Sequence, residues 1–280
     1  MRNFAAMKKF VSTATAPSFS PDAPIAFEDL SIGYGRGRRQ QIVGQQLSGC
    51  LSCATLTALI GPNGCGKSTL LRTLAGLQPR LGGELRIGGE RISDLRPKDL
   101  ARRVSIVLTS RPEATLMTAE EVVATGRGPH TAFWGLLNDA DQAAVERAMV
   151  QTNTMRFRRR LFSTLSDGER QRVMLARALA QATPAILLDE PTAFLDYPSK
   201  RELMRLLSKL AHEEGKAILV STHEIEVVVN TADAIWMPER DHIYKEEAPL
   251  DLQRIVDRLE ASSRLLEASS RLLEAAQSTQ

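Results

Sequence analysis

The eight residues Gly61-Pro62-Asn63-Gly64-Cys65-Gly66-Lys67-Ser68 match the pattern G-x-x-x-x-G-K-[ST] in full, and they constrain the fold more than any other feature of the chain. The pattern does its work as a loop between a strand and a helix. Its glycines let successive backbone N–H groups curl around phosphate oxygens, and the helix that begins there adds the positive end of its dipole. The flanking sequence agrees: 56–60 is a short apolar run, and 68–75 reads as a helix. In such a loop Lys67 reaches the β- and γ-phosphates of a nucleotide, and the Ser68 hydroxyl is a ligand for Mg²⁺.

Two other apolar runs end in groups that suit the same chemistry. Residues 185–188 are Ala-Ile-Leu-Leu, followed by Asp189 and Glu190. Four apolar residues closing on two carboxylates describe a buried strand whose C-terminal end opens on a ligand crevice. Such a strand end is often merely structural. Beside a phosphate loop, however, Asp189 suits the Mg²⁺ shell and Glu190 is placed to polarise an attacking water. The run 217–220 ends in Ser221-Thr222-His223. A lone histidine after a strand is more often incidental than catalytic. Parallel strands end on the same side of a sheet, though, which brings His223 to the crevice and within reach of a γ-phosphate.

The rest of the pattern is α/β. Strand-like alternation covers 25–34, and another strand is expected at 104–108. A hairpin is expected over 81–90 with Gly82-Gly83 and Gly88-Gly89 as turns, and a last one over 235–237 and 242–244. A helix over 200–214 separates the strands at 185–188 and 217–221. Residues 113–160 break this rhythm with helical periodicity and the basic cluster Arg156, Arg158, Arg159 and Arg160, which predicts a helical insert.

Composition removes several classes of function. With 43% apolar and 25% charged residues the chain is an ordinary globular protein. Its net charge of +3, from 36 basic and 33 acidic residues, is too small an excess for a nucleic acid to be its main partner. No run of about 18 apolar residues crosses a membrane. Residues 1–24 lack the apolar core of a targeting segment and read as a flexible leader, or as the product of a start codon placed upstream of Met7. Cys50, Cys53 and Cys65 make no disulfide framework, and the lone C-x-x-C at Cys50 and Cys53 has too few companions for a structural zinc site. At the other end, Leu259-Glu-Ala-Ser-Ser-Arg-Leu-Leu266 is followed by Glu-Ala-Ser-Ser-Arg-Leu-Leu273, a period of seven. The leucine stripe permits an amphipathic helix of roughly 20 residues, too few heptads for a stable coiled coil. It is either a duplicated stretch of little consequence or a docking helix.

Leu165-Ser166-Asp167-Gly168-Glu169-Arg170-Gln171 lies between the phosphate loop and the acidic strand. With it, the set resembles the nucleotide-binding subunit of an ABC transporter, whose signature has the form L-S-G-G-Q. The resemblance covers about residues 25–245, with 113–165 as a helical subdomain and 246–280 as a tail. Gly126-Arg-Gly-Pro-His-Thr131, Trp134-Gly135 and the Leu- and Ala-rich stretch after the signature resemble more closely the ATPases of importers for iron chelates, haem and cobalamin.

The resemblance implies a P-loop nucleoside triphosphatase core of ABC type, with an antiparallel β subdomain and a helical insert. It implies ATP and Mg²⁺ as cofactors and a head-to-tail homodimer with the nucleotides sandwiched between subunits. The implied partners are an integral membrane permease dimer and, indirectly, a solute-binding protein. The implied location is peripheral, on the cytoplasmic face of the inner or plasma membrane. Tyr34 would stack on adenine, and Gly61, Pro62, Asn63, Gly64, Cys65, Gly66, Lys67, Ser68 and Thr69 would hold phosphates. Ser68, Asp189 and Thr109 would stand at the metal, with Glu190 and His223 catalytic. Ser166 and Gly168 would contact the γ-phosphate held by the other subunit, and Asp196, in Ala193-Phe-Leu-Asp196, would cross the interface. Ser166 is also, by residue type alone, a good N-cap for a helix over 168–180.

Three positions depart from the family pattern. Asp167 and Glu169 replace a glycine and the glutamine of the signature, which sets two carboxylates near a phosphate unless Arg170 or Arg172 offsets them. Thr109 stands where the family usually has a glutamine that reaches the metal or the water and relays contact with the membrane subunit. Coupling, more than ATP binding, is what that exchange touches. The competing functions are an ABC-type ATPase of a non-transport machine and an exporter. No second phosphate loop, long coiled-coil insertion or fused membrane helix supports either.

Overall fold

The computed structural model describes residues 23–35, 37–109, 116–131, 136–193 and 195–277, with side chains up to 264 other than that of Arg38. The leader over 1–22, Ser110, Trp134-Gly135, Phe194 and the side chains of the second tail repeat lie outside the described residues. Along the chain run β1 (Ile25–Tyr34), β2 (Gln41–Leu51), β3 (Thr55–Leu59), α1 (Lys67–Leu74), β4 (Gly82–Ile87) and β5 (Glu90–Arg91). There follow α2 (Pro97–Ala101), β6 (Val104–Val107), α3 (Ala119–Ala124), α4 (Asp139–Gln151) and α5 (Asp167–Ala180). The last elements are β7 (Ala185–Asp189), α6 (Tyr197–Glu214), β8 (Ala217–Ser221), α7 (Ile225–Val229), β9 (Ala234–Pro238), β10 (Ile243–Glu247) and α8 (Leu252–Gln277).

The strands form two sheets, an antiparallel one in the order β2-β1-β4-β5 and a six-stranded one in the order β10-β9-β3-β8-β7-β6. In the second, β3, β6, β7, β8 and β9 are parallel and β10 turns back along β9. This is the expected α/β core with an antiparallel β part and a helical part.

Side chains alternate between the faces of a strand, so a sheet covered on both sides must be apolar at every position. That is what β7 and β8 show. Ile186, Leu188, Ile218 and Val220 pack into a core with α3 to α7, whereas Ala185, Leu187, Ala217 and Leu219 pack into a second core under α1 and the antiparallel sheet. Each of the leucine, isoleucine and valine side chains among them contributes about 1.5–3 kcal/mol by leaving water.

The helical part begins each of its helices the same way. Thr118, Asn138 and Ser166 are the N-caps of α3, α4 and α5, and each forms a reciprocal capping box with Glu121, Asp141 and Glu169. Helix α6 starts on Asp196 and stops at Gly215, whose φ of 66° ends it in the left-handed region.

One local expectation is corrected, and one strand has no sequence signal. Gly88-Gly89 turns the β4–β5 hairpin, but Gly82-Gly83 opens β4, because Leu81 N–H already bonds Ser31 O at 2.8 Å and Gly82 pairs with Ser31. Strand β2 gives no clear signal in the sequence. Its pairing with β1 shifts register three times, which destroys the two-residue period. Within β2, Gly49 is required by close approach, since a Cβ there would lie 2.6 Å from the Phe27 ring.

At the C-terminus, α8 seats Ile255, fully buried, on the larger core. Arg258 lies over the Tyr244 ring at 4.7 Å and pairs with Glu239 at 2.7 Å. No helix among the described residues is long and apolar enough to cross a membrane.

Candidate functional site

Residues 61–66 leave β3 and turn straight into α1. Gly64 and Gly66 hold φ of 81° and 98°, a region that costs other residues strain. A Cβ on Gly66 would also sit 2.7 Å from Val43 Cγ1. As N-cap of α1, Gly66 offers no side chain to the first-turn N–H groups, which leaves them to an anion. Asn63 and Gly64 face outward and Pro62 is half-buried, whereas Gly61, Cys65, Gly66, Lys67 and Thr69 are buried. Burial pushes the Cys65 thiol up from its ordinary value, against the pull of Lys67. The Lys67 ammonium rests on Gly61 O at 2.8 Å and Pro62 O at 3.1 Å. Neutral carbonyls are weaker partners for it than phosphate oxygens.

The parallel register then assembles the other strand ends beside this loop. Asp189 stands opposite Ser221 across β7 and β8. Its Oδ1 accepts hydrogen bonds from Ser68 Oγ and from Ser221 Oγ, each at 2.9 Å. A buried carboxylate thus meets the loop hydroxyl 121 residues away in sequence. Hard oxygens so placed are the donors Mg²⁺ prefers, so these residues fit that ion.

One residue on, Glu190 takes φ 49° and leaves the strand, with its N–H held by Ser221 Oγ at 2.8 Å. Its Oε1 lies 2.6 Å from His223 Nε2, a hydrogen bond between the two expected catalytic groups. Tyr34, 47% exposed, is anchored through its hydroxyl to Thr69 Oγ1 at 2.9 Å, which leaves ring surface open for a base. Thr109 Oγ1 donates to the main-chain oxygen of Asp189 at 2.9 Å. Its hydroxyl therefore braces the strand end, not the carboxylate.

Ser166, Gly168 and Asp196 gather elsewhere. Ser166 caps α5, and Glu169 folds back onto Ser166 N at 2.9 Å with Arg160 at 3.6 Å. The Ser166 hydrogen bonds hold the Glu169 carboxyl below its usual range. Asp167 has Arg170 at 3.8 Å, while Arg172 turns to Glu202. The offset foreseen for the two extra carboxylates thus comes from Arg160 and Arg170. A Cβ on Gly168 would meet Leu195 Cδ2 at 3.1 Å, which ties the signature to the loop before α6. There Asp196 accepts from Ser199 N at 3.1 Å, and hydrogen bonds from the Ser199 side chain and main chain hold its carboxyl below its usual range.

The sequence reading passed over Ser221, which links Asp189 to Glu190. A small hydroxyl residue ending the strand just before Thr222-His223 was the available signal.

A strand–loop–helix that cradles anions, with a carboxylate pair at the end of a nearby parallel strand, defines a P-loop nucleoside triphosphatase. A family model described as ABC transporter matches residues 44–193, more than half of the chain. An uncharacterized ABC transporter ATP-binding protein of Methanocaldococcus jannaschii is 42% identical over 206 residues, covering 74% of this chain and 70% of that protein. The iron(3+)-hydroxamate import ATP-binding protein of Bacillus subtilis is 35% identical over 229 residues, covering 81% and 83%. Among solved structures, a dimeric post-hydrolysis state of an ATP-binding cassette bound to ADP and Pi superposes with a TM-score of 0.70 at 26% identity, covering 80% of this chain and 98% of that one. The chain belongs to the ABC transporter family, as an ATP-binding and ATP-hydrolysing subunit.

Proposed function

We propose that this chain powers uptake of an iron chelate, or of a related metal-cofactor cargo, through a separate permease. The observation that carries the ATPase half of this reading is the joined set Ser68–Asp189–Ser221–Glu190–His223 around the phosphate loop. In it Lys67 transfers from its two carbonyls to the β- and γ-phosphates, and Tyr34 stacks on the adenine. Ser68 and Asp189 would hold Mg²⁺, with Thr109 acting through Asp189. When bound, the ion would supply positive charge against the phosphate oxygens. Glu190 orients and polarises the water, and His223, now resting on Glu190, bonds the γ-phosphate.

Ser166, Gly168 and Asp196 serve a second copy of the chain. The α5 N-terminus and the exposed cap of α6 then close on that copy's nucleotide. The dimeric cassette to which the chain is similar supports this arrangement.

The cargo rests on likeness to the iron(3+)-hydroxamate import protein and on the Gly126–Thr131 segment. We read 25–245 as the ATPase domain with a helical subdomain near 113–165, and 246–280 as a tail. The permease docks at a groove of about 620 Å³ lined by Leu77, Leu100, Ile106, Leu108, Pro129 and Met174. Leu108 precedes Thr109, so movement in the groove reaches the Asp189 strand end directly. The subunit is then peripheral, on the cytoplasmic face of the membrane, and a solute-binding protein delivers cargo from the other side.

The test is reconstitution with its permease in proteoliposomes. ATP-dependent uptake of a ferric hydroxamate, haem or cobalamin is the expected result. Normal ATP hydrolysis with no uptake of any of the three would turn the reading toward a non-transport machine or an exporter.

A further inference from the structure

Two ion pairs meet on the first turns of α6, and the site described above uses neither. On one side Arg172 of α5 donates twice to Glu202, Nη1 to Oε1 at 3.3 Å and Nη2 to Oε2 at 2.8 Å. On the other, Lys200 Nζ holds the carboxylate of Glu224, the residue after His223. Residues two apart on a helix point about 200° from one another, so Lys200 and Glu202 reach different neighbours. The same turns are fixed to the interface loop: Asp196 caps the helix, and Lys200 N–H donates to Asp196 O at 2.9 Å. Glu224 is itself tied to the strand end, its N–H bonding Thr222 Oγ1 at 3.1 Å.

We propose that Lys200 and Glu202 are positioning residues that join His223, at a subunit's own nucleotide, to Ser166 and Gly168, which serve the other nucleotide. Closure at one site then sets the geometry of the second. The inference rests on the dimeric reading above.

The physical character of the Arg172–Glu202 pair favours this role over a stabilising one. The Glu202 side chain is 60% exposed and that of Arg172 21%. Exposed ion pairs add little to stability, because water solvates the separated charges nearly as well. A two-bond guanidinium–carboxylate contact nevertheless fixes angle as well as distance. Hydrogen bonds from Arg172 hold the Glu202 carboxyl below its usual range, which keeps the pair charged at neutral pH. Glu202 is thus cheap to lose for the fold and costly to lose for alignment of α5 on α6.

The experiment uses the full chain in a Glu190→Gln background, with ATP-dependent dimerisation followed by light scattering. Glu202→Gln, Lys200→Gln and the exchange Arg172→Glu with Glu202→Arg are compared with the parent. ATP binding to the single subunit and the melting temperature should be unchanged. The ATP concentration for half-maximal dimerisation should rise about tenfold in each single variant and recover in the exchange. With Glu190 intact, the single variants should also lose cooperativity in ATP hydrolysis. Dimerisation and cooperativity equal to the parent's would overturn the proposal. So would a lowered melting temperature that the exchange does not restore, since that marks a merely structural contact. A parent that never dimerises with ATP removes the dimeric reading itself, and this proposal with it.

Discussion

At the end of β7 Asp189 is buried, fixed by two hydroxyls that the parallel register brings to it. At the start of α5 the corresponding carboxylate, Asp167, is half exposed and answers to an arginine one helical turn away. The phosphate-loop side is thus completed by strands of the same chain, each gripped on both faces by apolar side chains. The signature side is held by caps and ion pairs, and in the reading proposed above its ligand comes from another subunit. The difference teaches which half of an ATP site must be rigid before nucleotide arrives and which half can afford to move. Exposed pairs rearrange at little cost, whereas a buried strand end does not.

The comparison breaks most visibly at Lys67. Lys67→Ala removes the cation that we assign to the β- and γ-phosphates. It should lower hydrolysis on the order of 10³-fold and weaken ATP binding, read by turnover and equilibrium nucleotide binding. Binding equal to wild type would move the nucleotide away from the loop.

Next in size is a buried ion pair that supports the signature side from behind. Arg127 Nε meets Asp141 Oδ1 at 2.9 Å, and its Nη1 caps the C-terminus of α5 at Ala180 O, 2.7 Å away. Arg127→Ala strands a buried carboxylate and should cost about 3–5 kcal/mol of stability in denaturant unfolding. Burial alone would raise the Asp141 carboxyl, but its bonds from Arg127 and Asn138 outweigh that and leave it lowered. A lowered carboxyl contributes stability that is complete above its unfolded value and is lost as pH falls through the folded one. Acid destabilisation below the ordinary aspartate range should therefore be steeper in wild type than in Arg127→Ala.

The smallest effect is expected at Thr109. Thr109→Gln exchanges the bond to Asp189 O for a longer amide that reaches toward the metal and the groove. ATP hydrolysis should stay within about twofold, while its dependence on the permease tightens. Uptake per ATP consumed, with and without permease, reads this directly. An unchanged ratio with normal rates would show that the relay runs elsewhere.

The phosphate-loop side was legible in the sequence because its chemistry is local. A glycine pattern, an apolar run ending in Asp189-Glu190 and another ending in His223 each carry their own mechanism, and parallel pairing does the rest. Ser221 was missed because its role exists only once β7 and β8 are in register. Strand β2 was missed because bulges erase its period. On the signature side the N-cap role of Ser166 was legible from residue type. The partners of Glu169 and Arg172 were not, since Arg160 and Glu202 come from elements whose approach no local pattern announces. The same holds for Thr109: its alignment with a family glutamine was visible, but its bond to the main chain of Asp189 was not.

The division between a finished half-site and a waiting one is tested most directly by Glu190→Gln. The substitution keeps size and one oxygen acceptor for His223 but removes the carboxylate we assign to polarise the water, so it should act on the transition state alone. Size-exclusion chromatography of the variant with and without Mg-ATP is the measurement. The account predicts ATP binding as in wild type, no steady-state turnover, and a dimer that forms with ATP and is absent with ADP. A variant that hydrolyses ATP normally, or that binds ATP and stays monomeric, would contradict it.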